Sequence, residues 1–134
     1  PDLSAQILIE RAQDYYAQYS YGGNERAAAL YERVLSADTD NTEALAGLAM
    51  TEVQRAVRWS GGPASVPATL GAALADGRLR SQNAQAALDR AERLLARANA
   101  NDDSAVLSQA RGLLASARGD LASAAKAYRR ALKR

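Results

Sequence analysis

The chain has 134 residues, a formal net charge of +2 and 48% hydrophobic residues, which suits one compact unit able to bury its own core. It has neither Cys nor His, which excludes a disulfide framework, thiolate metal sites and a cysteine nucleophile, and removes the commonest neutral-pH base. The expectation is therefore a non-catalytic protein with no cofactor and no metal; the many Ala residues and the lack of Phe favour closely packed helices over sheets.

Leu3, Ile7, Leu8, Ala12, Tyr15, Tyr16 and Tyr19 recur at three- and four-residue intervals, which predicts a helix over 4–20. Tyr21, Gly22, Gly23 and Asn24 read as a break, with Asn24 as the N-cap of a second helix over 25–37. Asp40 followed by Glu43 reads as a capping box before a third helix, whose Ala44, Leu45, Leu48, Ala49 and Val53 share one side. From Arg58 the sequence turns to Trp59, Gly61, Gly62, Pro63 and Pro67, which predicts a long loop carrying one short helix up to Gly77. Ala84, Ala87, Leu88, Ala91, Leu94, Leu95 and Ala98 predict a helix over 81–99. Two more come after it, over 104–117 and 121–133, separated by the Gly119-Asp120 turn.

One segment occurs twice. Ala27, Leu30, Tyr31, Val34 and Leu35 in the second helix are matched by Ala124, Ala127, Tyr128, Ala131 and Leu132 in the last. A weaker copy, Ala87, Leu94 and Leu95, carries Ala91 where the tyrosine would stand. This pattern resembles the tetratricopeptide repeat, a pair of antiparallel helices with a period of about 34 residues. Leu45, Leu48 and Ala49 match the family's large-large-small first-helix arrangement; Gly112 and the Gly119-Asp120 turn match in the last unit, with Arg111 in place of the usual Leu. Leu8, Ala12 and Tyr15 occupy the corresponding places of the first unit. The resemblance implies an all-α, right-handed array of about three helix pairs in one domain over 1–134. Repeat one covers about 4–38, repeat two about 41–101 with an insertion over 59–80, and repeat three about 104–134. The lengthened middle repeat is also similar to repeat regions appended to bacterial sensor and transcription-regulator proteins.

The family binds peptides or helices on the concave surface of its first helices, which here implies Gln6, Ile9, Gln13 and Tyr16, then Glu43, Ala46, Met50, Val53 and Gln54, then Gln109, Leu113 and Ser116. Such an amide-rich, mildly apolar set suits a peptide held without strong charge selection. The insertion competes for the same groove, and Trp59 is the candidate anchor that fixes it to the helices. Leu121, Ala125 and Leu132 form a candidate apolar edge for self-association into a homo-oligomer.

Other patterns have plainer readings. Lys126, Arg129, Arg130, Lys133 and Arg134 give a basic last helix, but the small net charge and the helix dipole favour a solvated face over a nucleic-acid surface. The run from Asp38 to Glu43 lacks the Gly and the bidentate Glu of a calcium loop. Glu10 and Asp14 with Arg11 read as a charged face, and Gly61-Gly62 lacks the phosphate-binding Lys that a phosphate loop needs after it. No apolar run approaches the roughly 20 residues of a membrane span, the first residues do not resemble a signal peptide, and cytoplasmic and periplasmic settings both fit. A start at Pro1 suggests a processed chain or a fragment. The expected function is a scaffold that binds a protein or peptide segment. The alternative is a small-molecule-sensing domain of a larger regulatory protein, with its pocket under the 59–80 insertion.

Overall fold

Helix α1 spans Leu3–Tyr16 and turns Ile9 and Ala12 into the core. It stops short of residue 20 because Tyr19 adopts a left-handed backbone, φ 51°, which no continuing α-helix allows. Arg58 holds this residue, with its guanidinium 4.9 Å from the Tyr19 ring centroid and Nη1 donating to the Tyr19 carbonyl at 3.2 Å. The computed structural model describes residues 3–61, 66–99, 101–119 and 121–133, and of residues 121–125 the backbone alone.

Helix α2, Tyr21–Ala37, begins earlier than the sequence suggests, because Ser20 is its cap: Oγ accepts from the Gly23 amide at 3.0 Å. Asn24 is thus not a cap. It is buried within α2, and its Nδ2 donates to the Thr51 carbonyl at 3.1 Å, tying α2 to the next helix. Helix α3, Thr42–Gln54, is capped by Asn41, whose Oδ1 accepts from the Ala44 amide at 3.0 Å. The expected Asp40 cap is displaced by one residue, since the Asn41 amide closes a turn onto the Asp38 carbonyl at 3.2 Å.

The chain does not enter a loop at Arg58. A five-residue π-helical turn, Arg55–Trp59, continues α3. Within the insertion, helix α4 (Leu70–Ala75) is capped by Thr69 Oγ1 on the Ala72 amide at 3.0 Å, and a 3₁₀ turn covers Arg78–Arg80. Helices α5 (Gln82–Ala96), α6 (Ala105–Ala117) and α7 (Leu121–Leu132) complete the chain. Among the described residues every regular element is helical, as the composition implies.

α1 packs on α2, α2 on α3, α3 on both α5 and α6, and α6 on α7. The central helix α3 is therefore buried on almost every side, and its residues divide between two apolar clusters. Ala44, Leu45 and Leu48 join α1 and α2; Ala46, Ala49 and Val53 join α5, α6 and the insertion residues Ala73 and Leu79. Glu52, only 4% exposed, clasps the same junction: Arg90 Nε donates to it at 2.9 Å and Arg55 Nη1 pairs with it closely. Arg55 Nε donates to Glu25 at 2.7 Å. Burial disfavours the charge on Arg55, but the Glu25 hydrogen bond and the field of Glu52 outweigh it and raise its pKa.

The duplicated tyrosines solve one packing problem with different partners. The Tyr31 ring lies over Gly47 of the next helix, where a Cβ would sit 2.2 Å from Cζ. The Tyr128 ring lies over Gly112 of the preceding helix, where a Cβ would sit 2.9 Å from Cε1. Tyr31 is 3% exposed and Tyr128 38%, because only Tyr31 is enclosed by helices on two sides.

Candidate functional site

Three residues expected to face a groove come together in one. Met50 of α3 and Gln109 and Leu113 of α6 line a depression of about 370 Å³ whose remaining wall is Tyr128, Ala131 and Leu132 of α7. Its lining is apolar apart from the Gln109 amide and the Tyr128 phenol, and no carboxylate is among it. Leu132 is 85% exposed. The side chains of Leu121 and Ala125, expected on the same edge, lie outside the described residues.

Leu113 also borders a narrower cleft of about 130 Å³, where Gln54, Val57 and Arg58 meet Pro67, Ala68, Thr69 and Leu70. Among the described residues the insertion lies along the Gln54 end of the α3–α6 face, and none of it borders the Met50 end. Gln54 is further committed because its Nε2 donates to the Tyr16 hydroxyl at 3.0 Å. Burial raises the Tyr16 pKa, with the Gln54 hydrogen bond acting in the opposite direction.

The other expected groove residues are placed elsewhere. Gln6, Ile9 and Glu43 border a separate cleft of about 510 Å³ between α1, the end of α2 and the start of α3. Ile9 and Ala46 are core residues, 2% and 0% exposed, as are Val53 and Ser116. The physical reason is the crowding of α3, which has helices on several sides and few outward positions, and the turning of α1 toward α2. Gln13 is exposed and borders neither depression.

Among the described residues the ring contact of Trp59 is with α2 and not with the insertion helix α4. The π turn carries its ring to the start of α2, where it meets Tyr21 edge-on at 5.7 Å between centroids and borders a cleft of about 260 Å³ with Arg55, Ser60, Asn83 and Arg90. Ala73 and Leu79, buried in the core, hold the insertion instead, together with Arg78, whose Nη1 donates to the Arg58 carbonyl at 3.3 Å. Met50 and Trp59 thus belong to different surfaces.

Tyr128 and Ala131 join the groove unforeseen, since the repeat pattern assigns them to packing. The available signal is the last helix's single apolar stripe, Tyr128, Ala131 and Leu132, set against four cations. Among the described residues no group of three or more His, Cys, Asp or Glu side chains is placed to hold a metal ion. No helix of the described residues is long and apolar enough to cross a membrane. The chain matches no model of a known protein family, no curated protein and no solved structure.

Proposed function

We propose that the chain is a tetratricopeptide-like array of three antiparallel helix pairs, α1 with α2, α3 with α5 and α6 with α7, and that it acts as a non-catalytic docking scaffold for a protein segment. The sequence of helix contacts supports the array: α3 packs on its own partner α5 and on α2 and α6 of the neighbouring pairs. The observation that carries the function is the groove of Met50, Gln109, Leu113, Tyr128 and Leu132, an apolar depression with one amide and one phenol, which suits the apolar face of a helix or an extended segment. The sensor alternative has less support, because the cleft under the insertion, at about 130 Å³, is well below the roughly 300 Å³ at which small-molecule sites begin.

Met50 is the single methionine and Trp59 the single tryptophan, so each surface has its own reporter. On titrating a panel of amphipathic helical peptides, the Met50 methyl resonance should shift while Trp59 emission stays constant, and Leu132→Glu should weaken the shift without lowering Tm. Peptides that move only the tryptophan signal, or none that move the methyl, would refute the reading.

A further inference from the structure

We infer that the segment taken by the α6–α7 groove is helix α1 of a second copy of this chain, docked head to tail; this rests on the reading of that groove as a docking surface. α1 has a second face. At about 100° per residue, Leu3, Ile7, Glu10 and Asp14 form a stripe on the side away from buried Ile9 and Ala12. All four are exposed, Leu3 at 80% and Ile7 at 54%. Two aliphatic anchors one turn apart thus precede two carboxylates, and Glu10 accepts a hydrogen bond from Gln6 Nε2 at 3.5 Å.

α7 presents the complement. Tyr128, Ala131 and Leu132 line the groove, while Lys126, Arg129, Arg130 and Lys133 are exposed, and no acidic residue lies between 121 and 133. Arg129 lies three residues before Leu132 on the helix and Lys133 follows it at the helix end, so exposed cations flank the α7 wall of an apolar depression without lining it. An aliphatic pair followed by two carboxylates, with one cation, Arg11, beside them, matches it in hydrophobicity and in net charge, and anchors at i and i+4 are how a helix is held in a groove. Each copy carries both halves on different helices. The contact is therefore heterologous, and it extends into a row or closes into a ring instead of stopping at a two-fold dimer.

The test uses the intact chain in sedimentation velocity. Average mass should rise with protein concentration and fall as ionic strength goes from about 0.01 to about 1 M, over which the screening length shrinks from about 30 to about 3 Å. Glu10→Lys with Asp14→Lys, and separately Arg129→Glu with Lys133→Glu, should each associate less than wild type. Mixing the two variants should restore assembly, since swapped α1 meets swapped α7 and the unswapped surfaces also meet; misfolding could not be rescued in this way. A wild-type chain that keeps monomer mass at millimolar concentration overturns the inference, as does a mixture that fails to assemble. If helical peptides still shift the Met50 methyl in that case, only the second copy is lost; if they do not, the docking surface is lost with it.

Discussion

Tyr31 shows what a single enclosed side chain contributes and when that contribution ends. Burial pushes its phenol up to about 12 from the ordinary 10, with Tyr16 and Glu43 adding to the effect. The fold accepts the neutral form and penalises the ionised one, so stability is unaffected below about pH 10 and falls as pH rises from about 10 to about 12. By linkage the fall amounts to about 2–3 kcal/mol. Tyr31→Phe should keep the ring packing, leave Tm at pH 7 nearly unchanged and flatten the alkaline limb of a Tm-against-pH curve. A slope there equal to wild type would contradict this assignment.

The two glycines beneath the duplicated tyrosines should respond differently to one methyl group. At Gly47 the new Cβ meets an enclosed ring at 2.2 Å, and overpacking of about 2–3 kcal/mol outweighs the roughly 1 kcal/mol that alanine gains in a helix. At Gly112 the nearest ring atom is 2.9 Å away and belongs to a partly exposed tyrosine that can swing outward. Urea denaturation should therefore show Gly47→Ala losing stability by about 1–2 kcal/mol and Gly112→Ala staying close to wild type.

Among the elements, α5 is the most legible in sequence, because Ala84, Ala87, Leu88, Ala91 and Leu95 all face inward at helical spacing behind the Ser81 cap. The start of α2 is not. Gly22-Gly23 looks like a breaker, yet Gly23 serves the first turn of α2, where a Cβ would come within 2.5 Å of the Tyr15 carbonyl oxygen. Local propensity cannot reveal that a neighbouring helix end claims this space. The groove is half readable for a similar reason: register brings Met50, Gln109 and Leu113 to one side, but the opposing wall depends on where α7 packs. Trp59 escapes a reading from periodicity because that reading assumes regular turns, and α3 ends in a wider one.

At the scale of the whole molecule, two apolar clusters share α3, with Leu94 and Ala98 packed against both. Damage in one cluster therefore reaches the other through that helix and through Leu94 and Ala98, at and just beyond the end of α5. Leu45 is fully buried on the α1–α2 side. Leu45→Ala should cost about 3 kcal/mol overall and, in hydrogen exchange, deprotect α1 and α2 before α5 and α6. Uniform loss of protection along the chain would mean that the two clusters unfold as one.

The π turn at Arg55–Trp59 also determines which length changes the chain can accept. A wide turn holds one residue more than a regular helix needs. Losing a residue there would let a regular helix span the segment, but it would change the directions in which the residues of the turn itself project, carrying the indole off Tyr21 and the Arg58 guanidinium off Tyr19. The segment between 55 and 59 is thus where a shortened relative could keep the helical framework and still lose its aromatic contacts.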